Sequence, residues 1–135
     1  NFSQIDLVPT LLELLGENVP DGLHGTSRVN VLNGKKDLFK NDVFIEHNGV
    51  GDRDLGNPLI NELNNVPWRS IVASDRWKLN LCIGDQCELF DMNKDPYEVT
   101  NLFNDSQQKD RIRRMAAKIH SWQREVGDDA PLPSL

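Results

Sequence analysis

The side chains that could take part in chemistry are few in this chain, and their spacing matches none of the common metal-binding or catalytic patterns. His24, His47 and His120 fall in three different segments, without the HxH or HExxH spacing of a metal site. Cys82 and Cys87 have four residues between them and no histidine nearby, so they do not match a zinc knuckle. The sequence therefore predicts no metal site in this chain.

The two cysteines fit better as parts of neighbouring strands. Residues 76–83 alternate apolar and polar side chains, and the Gly84-Asp85 pair that follows is a two-residue hairpin signal. A turn at that point sets three cross-strand pairs: Cys82 with Cys87, Leu79 with Phe90, and Lys78 with Asp91. Opposed Cβ atoms lie roughly 4.5–5.5 Å apart, so a disulfide in an oxidising compartment and two free thiols are both compatible with the sequence.

Asp128 and Asp129 are adjacent carboxylates of the kind that acid–base catalysis can use. They lie after Gly127, in a tail that contains two prolines and no apolar periodicity. We interpret them as solubilising charge on an unfolded or loosely docked tail, with no catalytic role.

The elements that position these residues form a two-layer α+β unit. Residues 42–47, 69–74, 76–83 and 88–91 read as strands, and residues 106–126 read as a long helix. The apolar stripe of that helix follows a three-four spacing: Ile112, Met115, Ile119, Trp122 and Val126. We expect a small antiparallel sheet of about four strands packed against this C-terminal helix. We expect Trp122 to anchor the helix near Trp77 or Leu79.

An extra helix begins the chain. Asp6 suits its N-cap and Gly16 its C-cap, while leucines and valine cover most of its surface. A helix that is apolar on several sides needs more than one partner, so we expect an element taken from a larger body. The chain also starts without a methionine, which favours a fragment. The exposed leucines should either pack on the rest of the chain or drive self-association.

Composition excludes two classes of partner. The formal net charge is -6, which argues against a broad nucleic-acid surface, because phosphate binding needs clustered Lys and Arg. No apolar run approaches the roughly 20 residues that a membrane-spanning helix needs. We therefore expect neither nucleic acid nor membrane as a partner.

The stretch ELFDMNKDPYEVTNL, residues 88–102, joins the last strand to the long helix. Asp95-Pro96 is a turn signal, because Pro presets φ and Asp accepts backbone N–H bonds. Glu98 and Asn101 can hold the connection by similar bonds, and Leu102 supplies apolar contact. These roles are structural, so this motif is expected to brace the final helix.

The same stretch resembles the C-terminal signature of type I sulfatases, in which a Glu-Leu-Tyr-Asp strand leads to Asp-Pro-x-Glu-x-x-Asn-Leu. Phe90 stands where that family often has Tyr. Three further stretches are similar to segments of the family in the same order: SQIDLVPTLLELLG, GLHGTS and RSIVASDRWKLNL. Together they cover nearly the whole chain.

The resemblance implies a parent enzyme of the alkaline phosphatase superfamily, with a formylglycine nucleophile made in a Cys/Ser-x-Pro-x-Arg motif and a calcium ion held by Asp and Asn. This chain contains no such motif, so it should carry no cofactor and have no sulfatase activity alone. Residues 1–41 are expected to be a helix and linker left from the catalytic domain, and residues 42–135 the C-terminal subdomain. The implied partners are that catalytic domain and a sulfated small molecule or glycan. A periplasmic or secreted location is expected for the parent.

Two alternatives stay open: the C-terminal domain of a phosphonate or phosphodiester hydrolase, and a non-catalytic binding or assembly module. Substrate contact is expected in the loop 48–67, which is long and rich in Gly and Asn. His47, Asn48 and Arg53 there offer a cation beside amide and imidazole donors, which suits an anionic sugar rich in hydroxyls. The other interpretation of this loop is a mobile surface segment.

Overall fold

Four antiparallel strands form one sheet in the order β1-β2-β3-β4, as the alternating segments predict. The strands are β1 (Val43–His47), β2 (Trp68–Val72), β3 (Trp77–Cys82) and β4 (Glu88–Asp91). This architecture comes from a computed structural model, which describes residues 1–49, 51 and 54–135.

Within these described residues, four α-helices accompany the sheet: α1 (Leu7–Leu15), α2 (Val29–Leu32), α3 (Pro58–Asn64) and α4 (Lys109–Val126). Short 3-10 turns precede α1 and α4, at Gln4–Asp6 and Ser106–Gln108. Asp105 caps the second of these turns by accepting a hydrogen bond from the backbone N–H of Gln107 at 2.9 Å. The α+β prediction is confirmed. Within the described residues, no helix is both long and apolar enough to cross a membrane.

The core lies between one side of the sheet and one face of α4, and we call these the helix-facing side and the open side of the sheet. The buried core residues are Ile71, Ala73, Leu79, Leu81, Leu89, Ile112, Met115, Ala116 and Ile119. Three members of the predicted helix stripe therefore lie in the core. Burial of this apolar surface, at about 25 cal/mol per Å², is the main force holding the helix on the sheet.

Trp122 packs in a different place from the one predicted. Its ring stacks on Phe44 of β1, with centroids 5.3 Å apart and planes 3° apart. Trp77 instead contacts the guanidinium of Arg111, whose Cζ lies 4.2 Å from the ring centroid. Arg111 and Trp122 are eleven residues apart on one helix, or roughly 16 Å at 1.5 Å per residue. Trp77 and Trp122 therefore lie at opposite ends of α4.

The predicted register of the β3–β4 hairpin is wrong by one residue. Leu79 pairs with Leu89, and Lys78 pairs with Phe90. Residues 83–87 make the connection, which is longer than the two-residue turn that Gly84-Asp85 suggested. Gly84 is required for another reason: a Cβ there would lie 2.6 Å from the Cγ1 of Val66.

The register shift separates the two cysteines. A slip of one residue turns every later side chain to the other side of a strand. Cys87 packs against the helix-facing core, whereas Cys82 lies in a groove on the open side. Both are free thiols, and the Sγ of Cys87 lies 3.5 Å from the backbone oxygen of Cys82. Burial raises the pKa of the Cys87 thiol, which disfavours the reactive thiolate.

Helix α1 differs from its prediction at its start. Asp6 has helical dihedrals and makes no side-chain cap; its carboxylate accepts from the N–H of Thr26 and the Nε of Arg28, both at 2.8 Å. Gly16 ends the helix in the left-handed conformation, as predicted. Most apolar side chains of α1 stay exposed, with Leu11 at 47% and Leu15 at 75%, whereas Pro9 is buried.

Candidate functional site

The Asp95–Leu102 motif holds the free edge of the sheet. The Oδ1 of Asn101 accepts from the backbone N–H of Leu89 at 3.1 Å and of Phe103 at 2.9 Å. Its Nδ2 donates to the backbone oxygen of Cys87 at 3.0 Å, and the N–H of Leu102 donates to the oxygen of Leu89 at 2.8 Å. These bonds use backbone groups of β4 and of the residue before it that an edge strand would otherwise leave unpaired.

The rest of the motif closes the turn and connects it to β3. The Oδ2 of Asp95 accepts from the N–H of Thr100 at 2.8 Å. Glu98 has a φ of 57°, which is unusual for a residue with a side chain. In that conformation its Oε2 lies 2.6 Å from the Nζ of Lys78, on the open side of the sheet. Each polar side chain discussed here therefore has a structural partner.

The second polar centre surrounds Arg69, a β2 residue that is 1% exposed. Its Nε and Nη2 bind the carboxylate of Asp128 at 2.8 and 2.6 Å. Its Nη1 donates to the backbone oxygens of His47 and Trp68, both at 2.9 Å. The other Nη2 hydrogen bond goes to the Oδ1 of Asn48 at 2.7 Å. All five N–H groups of the guanidinium have an acceptor, which is what burial of this cation requires.

Asp128 is a structural anchor, and the predicted solubilising tail is wrong at this residue. Its Oδ2 also accepts from the Nε2 of Gln123 at 2.8 Å, and its Oδ1 from the N–H of Ala130 at 3.3 Å. The hydrogen bonds from Arg69 are the main reason that the pKa of Asp128 lies far below its usual value; burial opposes them. Leu132 further along the tail packs against the core, so the tail is docked.

Two of the three predicted recognition residues, His47 and Asn48, lie at the end of β1. The ring of His47 stacks on Trp68, with centroids 5.3 Å apart, and its Nε2 lies 3.1 Å from the backbone oxygen of Asn64. A carbonyl only accepts, so this contact places a proton on Nε2. Asn48 is exposed apart from its contact with Arg69. Arg53 lies outside the described residues.

The loop 48–67 contains helix α3, which the sequence interpretation missed. Asn57 caps its first turn, because its Oδ1 accepts from the N–H of Leu59 at 2.9 Å. Pro58 follows at the first helical position, where its missing N–H costs nothing. This Asn-Pro pair is a helix-start signal that could have revealed the element.

The described residues do not form a metal centre. No group of three or more His, Cys, Asp and Glu among them is arranged to hold an ion. Asn48 at the end of β1 is exposed, and its side-chain oxygen is bound by Arg69.

Residues 2–125 match the protein family described as N-sulphoglucosamine sulphohydrolase, C-terminal. The chain belongs to this family of sulfatase C-terminal domains. An arylsulfatase of Clostridium perfringens is 26% identical over 107 residues, which is 79% of this chain and 19% of that protein. This chain therefore spans about a fifth of the length of this relative.

Solved structures share the fold of this C-terminal domain. A 2-O GAG sulfatase superposes with a TM-score of 0.71 at 24% identity, over 96% of this chain and 27% of that one. The phosphonate monoester hydrolase of Agrobacterium radiobacter superposes with a TM-score of 0.68 at 26% identity, over 90% of this chain and 24% of that one. The architecture is therefore shared by hydrolases of two ester classes, and the fold alone does not select between them.

Proposed function

We propose that this domain is the C-terminal part of an enzyme that hydrolyses sulfate esters, with sulfated carbohydrate as its substrate class. The match of residues 2–125 to a family named for an N-sulphoglucosamine hydrolase carries this proposal. Similarity to an arylsulfatase supports the same reaction class. Both favour hydrolysis of a sulfo group, bonded to nitrogen in N-sulphoglucosamine or to oxygen in an aryl sulfate, over the phosphonate ester cleaved by the hydrolase that shares the fold.

The chemistry and its implied formylglycine and calcium belong, in this proposal, to a part of the enzyme outside this chain. Residues 1–41 associate with that catalytic part, and residues 42–135 form the subdomain proper. The exposed apolar side chains of α1 support this division: Leu7, Val8, Leu11, Leu14 and Leu15. Covering them with the catalytic domain would remove apolar surface from water. The isolated chain is expected to be inactive.

The end of β1 is proposed as the domain's contribution to the substrate mouth, through His47, Asn48 and Arg53. Two observations support it. His47 is the last residue of β1 and Asn48 follows it directly, so a rigid strand positions both. Asn48 is exposed while its side-chain oxygen is held by a buried residue, so the amide has a fixed orientation at the surface. Amide N–H groups suit the oxygens of sulfate and of sugar hydroxyls.

The reaction class is tested by assaying the full-length enzyme and the isolated chain side by side. The substrates are nitrophenyl sulfate, N-sulphoglucosamine, an O-sulphated glucosamine and nitrophenyl phenylphosphonate. We expect the full-length enzyme to cleave sulfated substrates and the chain to show no turnover above an empty-vector control. Faster cleavage of the phosphonate would reverse the assignment. Absence of all four activities would favour a binding module.

The substrate mouth is tested with Arg53→Ala and His47→Ala in the full-length enzyme. Contact with the sugar predicts a loss of kcat/KM that is larger for the sulfated saccharide than for nitrophenyl sulfate, because only the saccharide reaches the loop. Equal kinetics of both variants and the parent on both substrates would leave the domain with a purely structural role.

A further inference from the structure

Asn48 has two chemically different ends, and the structure determines which one faces outward. An asparagine amide offers either a carbonyl oxygen or an NH₂ group, and the two are nearly alike in shape. Arg69 only donates hydrogen bonds, so the oxygen of Asn48 must face it, at 2.7 Å. No described residue accepts a hydrogen bond from the Nδ2 of Asn48. The exposed amide therefore turns its carbonyl oxygen toward Arg69 and its NH₂ group, with two N–H donors, away from it.

Arg69 itself is held from the opposite direction by the segment after α4. Gly127 ends that helix with a φ of 71°, and the next residue, Asp128, turns back onto Arg69 with two hydrogen bonds. Gln123 fixes the same carboxylate at 2.8 Å. Asp128 and Arg69 are 59 residues apart in the chain, so the contact joins the C-terminal segment to the entry of the loop after β1.

We propose that Arg69 and Asp128 are positioning residues that make Asn48 an obligate hydrogen-bond donor to an acceptor-rich ligand, namely a sulfate oxygen or sugar hydroxyl of the substrate. This inference rests on the proposed function, because the ligand is the sulfated saccharide of that reaction. Three side chains are hydrogen-bonded in sequence from the C-terminal segment to the surface: Asp128, Arg69 and Asn48. We call them the relay. Neither Arg69 nor Asp128 touches the substrate.

Asn48→Asp is the most direct test in the full-length enzyme. The two side chains are nearly isosteric, and the carboxylate keeps its contact with Arg69 while replacing two donors with an anionic acceptor. We expect KM for N-sulphoglucosamine or the O-sulphated glucosamine, whichever is cleaved, to rise about tenfold or more. Asn104→Asp, at another exposed asparagine, makes the same charge change away from the site and should leave KM within about twofold.

The relay is tested by coupling between positions. Asp128→Asn and Arg69→Lys weaken the fork that orients the amide, and each should raise KM for the saccharide about three- to tenfold. The same substitutions made in an Asn48→Ala background should raise KM less than about twofold further, because the group that they orient is gone. Asp128→Asn provides the measurement if Arg69→Lys does not fold.

The outcomes separate this inference from the proposed function. A full-length enzyme that cleaves no sulfated substrate removes both. An active sulfatase whose KM is unchanged by Asn48→Asp overturns the inference alone. Equal KM increases from Asp128→Asn with and without Asn48 would show that Asp128 acts on the substrate by another route, which also overturns it.

Discussion

Removing the carboxylate of Asp128 should destabilise this domain more than its place in a short tail suggests. In Asp128→Ala, Arg69 would keep three of its acceptors but lose the anion that neutralises it, while its side chain is 2% exposed. Breaking a buried pair by removing one partner costs about 3–5 kcal/mol, because an uncompensated charge stays in the interior. A domain of this size has a total stability of about 5–15 kcal/mol, so the loss is a large fraction of it.

The measurement is equilibrium unfolding of the isolated chain in urea, followed by tryptophan fluorescence. Asp129→Ala is the matched control, because it removes the same charge from the adjacent exposed residue. We expect a clear fall in the midpoint for Asp128→Ala and a shift near zero for Asp129→Ala. Equal midpoints for the two variants would show that the Arg69–Asp128 pair contributes no net stability.

The same pair predicts a dependence on pH. Because the pKa of Asp128 is lowered in the folded state, its contribution to stability is fully present above the unfolded pKa of about 3.9 and is lost as pH falls below it. The difference in unfolding free energy between the wild-type chain and Asp128→Asn should therefore be constant from neutral pH to about pH 5 and shrink below about pH 4. If this difference in unfolding free energy stays constant into strong acid, the ionised carboxylate of Asp128 is not what stabilises the fold.

Three further perturbations test other parts of the fold. Trp122→Ala should lower the unfolding free energy by about 3 kcal/mol, because it removes the packing on Phe44. Arg114→Ala, on the exposed face of α4, is the control and should change it little. Similar melting temperatures of the two variants would show that Trp122 does not contribute to the packing. Asn101→Ala should lower the unfolding free energy measured in urea by about 1–2 kcal/mol, because backbone groups at the β4 edge lose their hydrogen-bond partner. An unchanged unfolding free energy would show that the turn does not stabilise this edge. The isolated chain should self-associate through α1, and the double substitution Leu11→Lys with Leu15→Lys should give a monomer in sedimentation velocity; a monomeric wild type would refute this.

Elements with a strong local pattern could be predicted from the sequence. The strands and α4 follow from period-2 and three-four spacing, and the glycine caps at Gly16 and Gly127 follow from the need for a left-handed residue. The architecture of one sheet and one covering helix then follows, because each has a single apolar face to bury.

Features that depend on pairs distant in sequence could not be predicted. The β3–β4 register depends on the length of the connection 83–87. The close approach of Val66 to Gly84 in that connection is not visible in the local sequence pattern. The Arg69–Asp128 pair joins a strand to a tail with no apolar periodicity, so neither residue signals the other. Arg69 in an apolar strand was the one available clue, because a buried arginine requires an anionic partner.

The two polar centres of the domain show how a structural polar residue differs from a recognition residue. In the turn, both ends of the Asn101 amide bind backbone groups, and its oxygen accepts two hydrogen bonds. At the end of β1, the described residues hold Asn48 by its oxygen, and its NH₂ group points away from a buried, fully satisfied arginine. Substituting Asn101 should therefore affect stability, whereas substituting Asn48 should affect recognition. The chemical type is the same at both positions, and the difference comes from how many of the amide's hydrogen-bonding groups the fold already uses.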